Sequence, residues 1–330
     1  MKKRIKVPGI WIGLLALYIV SVILAPSMLS TGHLLNLMQI ASFLGVVALG
    51  QTFVILAGGV DLSVSGVIMM TNVLICYYMN GDPGNTVLAL AICFAAAIAA
   101  GVVNGVLITK FKVIPLICTL AMSQILFGLA LIFTGGIPRG SVGAEFSVIG
   151  TGRVFSVIPV SFLIWLALTI GLHFMLKKTV FGRQVYAVGA NSRAAWAAGI
   201  SAAKATIKVY VVSALMAAVT GLLISAYVNI PSFGVGDPYS LNSIVAVVVG
   251  GTLLTGGVGS VLSTAGGVLF ISQINSLTNV LNVSTGGQYL IQAAIIIIGV
   301  ASTRSGKTIL DNFKLFYINI TKKIKKGVQE

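Results

Sequence analysis

The length of the uncharged segments limits the fold of this chain more than any other feature. No charged side chain occurs from Val7 to Val60, from Leu62 to Gly81, or from Pro238 to Thr303. Each run is at least as long as the roughly 20 apolar residues that cross a bilayer as a helix. The runs also lack the alternating polar and apolar pattern of barrel strands. The sequence therefore predicts an all-α polytopic membrane protein.

Composition supports a membrane protein and excludes a soluble domain. Of the 330 residues, 57% are hydrophobic and 8% are charged, whereas soluble domains carry about 25% charged residues. The net charge of +15 is explained by the positive residues that mark the cytoplasmic side of membrane proteins. We therefore expect contact with membrane lipid and no nucleic-acid partner.

The positions of the charges predict about ten transmembrane helices, some of them broken or re-entrant, with both termini cytoplasmic. The approximate segments are 10–29, 38–57, 62–80, 86–108, 114–135, 156–176, 206–229, 240–256, 260–280 and 286–302. This arrangement places 19 of the 21 Lys and Arg residues inside, and leaves Arg139 and Arg153 outside, as the positive-inside rule requires. Asp82, Glu145 and Asp237 are expected in outer loops.

The same charges divide the chain into regions. Residues 1–9 form a cytoplasmic N-terminus, residues 10–303 the transmembrane domain, and residues 304–330 a basic cytoplasmic tail. Apolar residues in the tail recur at helical spacing opposite a lysine-rich face. We expect the tail to lie on the inner membrane surface, attracted by anionic lipid.

The longest cytoplasmic loop, residues 177–205, has helix signals of its own. Asn191 or Ser192 can cap a short alanine-rich helix over Arg193–Ala198, and Gly199 can end it. Two interpretations stay open at this point. The helix either anchors the seventh segment at the interface or docks a cytoplasmic partner.

Asp61 is the only acidic residue within a long apolar stretch, in the sequence AGGVDLSVSG. An ionisable group in such a segment is a functional candidate because its burial is costly. Gly58 and Gly59 are expected to break the preceding helix, so that Asp61 and Ser63 cap the next one. Asp61 could also line a polar path, whereas a proton or cation site lacks a second buried charged partner in the apolar segments.

Neutral polar side chains also occur within the apolar segments. Those we assign to the path or to the helix break, besides the residues just named, are Gln51, Asn72 and Asn104. Amides suit a path for neutral, hydroxyl-rich solutes, but they also form ordinary hydrogen bonds between membrane helices. We find no pattern of catalytic residues and no metal-ligand spacing.

Three motifs resemble the permease subunits of bacterial ABC importers for simple sugars, the ribose, xylose, galactose and autoinducer-2 branch. The first is Gly58-Gly59-Val60-Asp61-Leu62-Ser63-Val64, where Ser65 departs from the family's glycine. The second lies in the cytoplasmic loop and matches at Gly182, Ala187, Gly189, Asn191, Ala194, Ala195, Gly199 and Ile200. The third is the glycine-rich stretch from Val247 to Gly267.

The resemblance implies that this chain is the permease subunit of an importer for a monosaccharide in the bacterial cytoplasmic membrane. Its loop 177–205 would be a coupling loop that binds a cytoplasmic ABC ATPase. The coupling residues would be Gly182, Asn191, Arg193, Ala194, Ala195, Gly199 and Ile200. Further partners would be a second permease chain, identical or related, and an extracytoplasmic sugar-binding protein.

The chain has no G-x-x-x-x-G-K-[ST] motif. We therefore expect no catalysis and no cofactor in this chain, with ATP and Mg²⁺ bound by the partner ATPase. Two other classes stay open. An ion-coupled secondary carrier for a sugar or nucleoside would need buried coupling residues, of which only Asp61 is a candidate. A scaffold or polytopic enzyme would need a catalytic constellation.

Overall fold

The computed structural model describes residues 9–301 and divides them into two compact units, residues 9–283 and residues 284–301. The described part is almost entirely helical. Its α-helices are α1 (Gly9–Leu24), α2 (Thr31–Leu56), α3 (Val64–Met79), α4 (Thr86–Lys110), α5 (Pro115–Thr134), α6 (Ala144–Thr151), α7 (Val160–Lys178), α8 (Val180–Ala190), α9 (Ser192–Ala197), α10 (Ala202–Val228), α11 (Asp237–Val249), α12 (Val261–Val280) and α13 (Thr285–Ala301). Helix α13 lies in the second unit.

The remaining regular elements are short. One-turn 3₁₀ helices occur at Pro26–Leu29 and Pro83–Asn85. Strands β1 (Arg153–Val154) and β2 (Ile158–Pro159) pair antiparallel, with Arg153 opposite Pro159. The predicted tail, residues 304–330, lies outside the described residues, as does most of the predicted N-terminal segment 1–9.

Each of the ten predicted apolar segments overlaps one helix of the described part. Six helical segments are long and apolar enough to cross a membrane: Thr31–Leu56, Pro83–Lys110, Pro115–Thr134, Val160–Lys178, Ala202–Val228 and Val261–Val280. Helices α1 and α3 are apolar but have only 16 residues each. The all-helical membrane fold is therefore confirmed in its class.

Helices α2 and α10 form the centre of the first unit. The most apolar window of α2 is 94% buried and that of α10 is 78% buried, against 28% for α4 and α5 and 22% for α7. The outer helices therefore leave most of their apolar surface for lipid or another chain. Close approach to α10 depends on small residues, because a Cβ at Gly101 or Gly105 of α4 would overlap the α10 backbone at less than 3 Å.

The segment after α10 folds back into the helical bundle. The Ser232 N–H donates to the Asn72 side-chain oxygen at 2.7 Å, and the Asn72 nitrogen donates to the Ile230 carbonyl at 3.3 Å. Further along, Gly236 packs so tightly on the Ser65 backbone that a Cβ there would overlap the Ser65 carbonyl. The chain thus runs back along α3, and Asp237 starts α11 beside the first turn of α3. Our expectation that Asp237 lies in an outer loop is wrong.

Candidate functional site

The turn that contains Asp61 separates two helices inside the bundle. Helix α2 ends at Leu56 and α3 begins at Val64. Gly58 has φ +84°, a left-handed conformation that favours glycine. Asp61 is 1% exposed and is the one charged side chain that is buried among residues 9–301. The structure therefore places the predicted helix break at the buried carboxylate.

The Asp61 carboxylate is held mainly by its near neighbour Ser63. Its Oδ1 accepts hydrogen bonds from the Ser63 N–H at 2.9 Å and from the Ser63 hydroxyl. The Asn104 side-chain nitrogen of α4 donates to the same hydroxyl at 2.9 Å. The Ser63 hydroxyl is thus the middle of a short polar chain that runs from Asn104 of α4 to Asp61 Oδ1 before the start of α3.

The second carboxylate oxygen is less well satisfied. The Ser213 side chain of α10 lies close enough to interact with the carboxylate. However, neither Asp61 Oδ2 nor the Ser213 hydroxyl has a partner at hydrogen-bond distance. A buried acceptor without a partner is costly, so Oδ2 is the least stabilised atom of the carboxylate.

The backbone of the turn is fixed by three further helices. In the amide orientation that satisfies both partners, Gln51 of α2 accepts from the Asp61 N–H at 3.3 Å and donates to its carbonyl at 3.2 Å. Thr119 of α5 accepts from the Leu62 N–H at 3.0 Å. The Tyr210 hydroxyl of α10 donates to the Val60 carbonyl at 3.3 Å. The turn is therefore held by α2, α4, α5 and α10 together.

Of the five predicted polar side chains, four meet at this turn and one does not. Gln51, Asp61, Ser63 and Asn104 form one network, whereas Asn72 lies eight residues beyond the start of α3, about 12 Å along the helix. There the Asn72 nitrogen donates to Ser225 of α10 at 2.8 Å. Asn72 thus stabilises the region where the chain folds back.

Sequence reasoning missed three residues of the site, Thr119, Ser213 and Tyr210. Small hydroxyl side chains are common in membrane helices, where they often bond their own backbone. Thr119 does this as well, donating to the Pro115 carbonyl at 2.9 Å. No local pattern distinguishes these three from such ordinary residues.

The turn also contacts the loop 177–205 through a glycine junction. A Cβ at Gly189 of α8 would overlap the Leu56 carbonyl and lie 2.7 Å from the Gly257 nitrogen. The Gly257 N–H in turn donates to the Leu56 carbonyl at 2.9 Å. The glycine junction, made of Leu56, Gly189 and Gly257, brings the second and third motifs together just before the first motif begins. A Cβ at Gly256 would lie 3.0 Å from the Gly58 nitrogen.

A hydrogen bond and a cavity lie next to the glycine junction. The Tyr186 hydroxyl of α8 donates to the Gly259 carbonyl at 2.9 Å, and burial raises the pKa of this hydroxyl above its usual value. A cavity of about 430 Å³ lies between the turn and the loop, with Gly58, Lys112 and Ser192 among its lining residues. The glycine junction is therefore bordered by a hydrogen-bonded contact between α8 and Gly259 on one side and by this cavity on the other.

The loop itself contains two helices, α8 and α9, of which only α9 was predicted. The Asn191 side chain caps α9 by accepting from the N–H groups of Arg193 and Ala194, both at 3.0 Å. Gly199 follows it with φ +78°, and the Ile200 N–H returns to the Ala195 carbonyl at 3.0 Å. These are the cap and the stop that the sequence indicates.

The predicted coupling residues have two different environments. Gly182 packs on the Leu176 backbone, and Ala195 and Ile200 join an apolar cluster with Val188 and Ala205. The side chains of Arg193 and Ala194 are exposed.

Trp196, which sequence reasoning missed, is 76% exposed. A tryptophan within an otherwise alanine-rich stretch is the sequence signal that could have identified it.

Comparisons with known proteins agree with the three motifs. A family model described as "Branched-chain amino acid transport system / permease component" matches residues 33–300. The ribose import permease protein RbsC of Bacillus subtilis is 36% identical over 312 residues, which cover 92% of this chain and 96% of that protein. RbsC of Escherichia coli K12 is 33% identical, covering 88% of this chain and 91% of its own length.

A further relative is the L-arabinose ABC transporter permease protein AraH of Azospirillum brasilense. It is 32% identical over 299 residues, which cover 88% of this chain and 86% of that protein. No solved structure matches the chain significantly. The chain therefore belongs to the family of ABC importer permeases that includes these ribose and L-arabinose permeases, and it is a multi-pass protein of the bacterial cytoplasmic membrane.

Proposed function

We propose that this chain is the translocation subunit of an ATP-driven importer that moves a monosaccharide into the bacterial cytoplasm. The observation that carries the proposal is helix α9, which is firmly capped and packed on one face and exposes Arg193, Ala194 and Trp196 on the other. An alanine-rich surface around a tryptophan suits a docking contact. The family relationship supplies the class of partner, an ABC ATPase.

The proposed topology has ten crossings with both termini in the cytoplasm. The charge bias of 19 to 2 supports it, as does the overlap of each predicted segment with one helix. The loop 177–205 then lies on the cytoplasmic side, where an ATPase can reach it. Residues 304–330 would lie on the inner membrane surface.

The glycine junction offers a mechanical route from the ATPase to the path. A movement of α9 would pass through the apolar cluster of Val188 and Ala195 to α8. From there it would reach Leu56 and Gly257 by backbone contact. Packed elements of this kind shift between discrete arrangements and do not deform continuously. The proposed role of the coupling loop is therefore to reposition the α2–α3 turn.

We assign Asp61 to the helix break and not to the surface of the path. Its burial and its bonds to Ser63 support a role in fixing the first turn of α3. Gln51, Asn104 and Ser63 would hold the turn, while Gly58 and Gly59 let the chain bend there. A helix held in this way is a rigid element on which a nearby path can be built.

The partners follow from the family and complete the proposed transporter. A cytoplasmic ABC ATPase would bind ATP and Mg²⁺, and an extracytoplasmic binding protein would deliver the sugar. A second permease chain, identical or related, would form the other half of the core. The relatives named for ribose and L-arabinose indicate a pentose or a similar sugar as substrate.

The proposal is tested by co-purification of this chain with an ATPase of a ribose-type importer. Ala194→Glu places a charge on the exposed face of α9 and should abolish the complex. Ala144→Glu is the matched control, because Ala144 is also an exposed alanine, in the first turn of α6, on the predicted outer side. Its ATPase binding should equal that of the wild type.

Ala195→Glu is a second variant, which should lose ATPase binding for a different reason. Ala195 is 4% exposed, so this substitution should detach α9 from the body and also lose the ATPase. If Ala194→Glu binds the ATPase as well as the wild type, α9 is not the docking element. If no ATPase binds and uptake follows an ion gradient, the chain is a secondary carrier.

A further inference from the structure

The fold-back after α10 brings two helix starts together at the middle of the bundle. Ser65 lies in the first turn of α3, fourteen residues before its end at Met79, about 21 Å along the axis. Ser123 lies eight residues after the start of α5 and eleven before its end. Since both helices span most of a 30 Å hydrocarbon layer, this place lies deep within it.

A cavity of about 240 Å³ opens at this place. Its polar lining comes from Ser65 of α3, Ser123 and Gln124 of α5, and Asp237 at the start of α11. Gly66, Met69, Phe127 and Phe233 line the rest, and the two phenylalanine ring centroids lie 5.8 Å apart with their planes at 71°. We call this space the Asp237 cavity.

The polar groups of the Asp237 cavity retain free bonding capacity. The Ser65 and Ser123 hydroxyls lie 3.0 Å apart, and the Ser65 hydroxyl donates to the Leu62 carbonyl at 3.1 Å. The Ser123 hydroxyl therefore donates to the Ser65 oxygen, and the lone pairs of the Ser123 oxygen remain available to accept hydrogen bonds. The Gln124 and Asp237 side chains are exposed. A carboxylate exposed at this depth is costly in lipid, so it must face water, a solute or another chain.

We propose that the Asp237 cavity is a sugar-binding station on the translocation path. Asp237 would accept hydrogen bonds from sugar hydroxyls, and Gln124 and Ser123 would bond further hydroxyls. The ring faces of Phe127 and Phe233 would contact the C–H face of the sugar. The cavity is smaller than the roughly 300–1,000 Å³ of sites for drug-sized ligands, which suits a single monosaccharide.

The arrangement resembles a pattern described for secondary transporters. Binding sites near the membrane midplane are often built where helices are interrupted, with the exposed helix starts facing the substrate. Helices α3 and α11 both start at this depth, one after the Asp61 turn and the other after the fold-back. This inference rests on the proposed function, because a station needs a transported sugar.

The first test measures uptake of radiolabelled ribose and L-arabinose by vesicles that hold the complete complex with ATPase and binding protein. Asp237→Asn should lower the initial rate about tenfold, the effect of losing a hydrogen bond to a charged group. Asparagine also suits the first turn of a helix, and the ATPase should still co-purify. Asp82→Asn, an exposed carboxylate in a turn, should leave the rate unchanged.

The second test measures access of water to the cavity. In the same vesicles, Ser123→Cys should react with a membrane-impermeant methanethiosulfonate present on both sides, and ribose should slow the reaction. The control is Ile125→Cys, which is 54% exposed but lies about 200° around α5, toward lipid. The native Cys76, Cys93 and Cys118 are buried and give little background.

The outcomes separate this inference from the proposed function. If the wild-type complex takes up neither sugar with ATP, the proposed function fails and the station fails with it. If the wild type takes up sugar but Asp237→Asn stays within twofold of it, the station is refuted. The station is also refuted if Ser123→Cys reacts no faster than Ile125→Cys. Should Asp237→Asn not assemble, Gln124→Ala carries the same rate test.

Discussion

Asp61 and Asp237 stand in similar places and have opposite surroundings. Each lies at the start of a short helix that follows a bend in the chain, α3 for Asp61 and α11 for Asp237. Asp61 is enclosed and bonded to Ser63, whereas Asp237 is exposed at the mouth of a cavity. We propose that Asp61 belongs to the framework of the protein and Asp237 to the path, and that this difference follows from their surroundings.

The comparison predicts that the two residues differ most in their effect on stability. Asp61→Ala should destabilise the protein by about 3 kcal/mol, because it removes two hydrogen bonds to a charged group and leaves a void. Thermal unfolding of the purified chain in detergent measures this. The matched control is Asp82→Ala, since Asp82 also accepts from the N–H two residues on, Gly84, at 2.8 Å, but in an exposed turn. Its cost should be about 1 kcal/mol, and equal costs would contradict the account.

Ser63→Ala tests the link between Asp61 and α4. Its hydroxyl donates to Asp61 and accepts from Asn104, so the substitution should cost about 2 kcal/mol by leaving buried groups unpaired. Ser147→Ala is the control, because that hydroxyl only donates to the Gly143 carbonyl of its own helix, at 3.2 Å. A Ser63→Ala variant as stable as this control would show that the network carries no energy.

Asn104→Ala should have a smaller effect, about 1 kcal/mol. It removes the neutral hydrogen bond from its side-chain nitrogen to the Ser63 hydroxyl at 2.9 Å and the weak one that its oxygen accepts from the Cys118 thiol at 3.7 Å. The double variant with Ser63→Ala should be less destabilised than the sum of the two single variants, since they share a contact. Strict additivity in the unfolding measurements would argue against a connected network.

Asp237→Asn should change stability least, within about 0.5 kcal/mol, as expected for an exposed position. Its effect on uptake, in contrast, should be large. The unfolding temperature and the ribose uptake rate of the same preparation measure both quantities. A large loss of stability would make Asp237 a framework residue like Asp61 and remove the difference between the two regions.

Much of the fold could be predicted from the sequence, because a segment that spans the membrane must be helical and about 20 residues long. Uncharged runs of about 20 residues predict helices, and each predicted segment overlaps one α-helix. Gly58 and Gly59 indicated the break between α2 and α3, and Asn191 and Gly199 indicated the ends of α9. Each of these signals depends only on residues that are close together in the sequence.

The fold-back of residues 229–236 could not be predicted in the same way. The stretch PSFGVGDPYS has the proline and glycine content of an outer loop. Its path is fixed by residues far away in the sequence, namely Asn72, which bonds Ser232, and Ser65, on which Gly236 packs. For the same reason Tyr210 and Thr119 were missed at the Asp61 turn. Nothing local marks a side chain whose partner lies some 60 or 150 residues away.

The measurement that tests the central claim most directly is ribose uptake by vesicles that hold the wild-type chain with its ATPase and binding protein. ATP is supplied on the ATPase side, and ionophores remove every ion gradient. The account predicts that uptake continues under these conditions and stops when ATP is withdrawn or when Ala194→Glu replaces the wild type. Uptake that needs an ion gradient and proceeds without ATP would contradict the account.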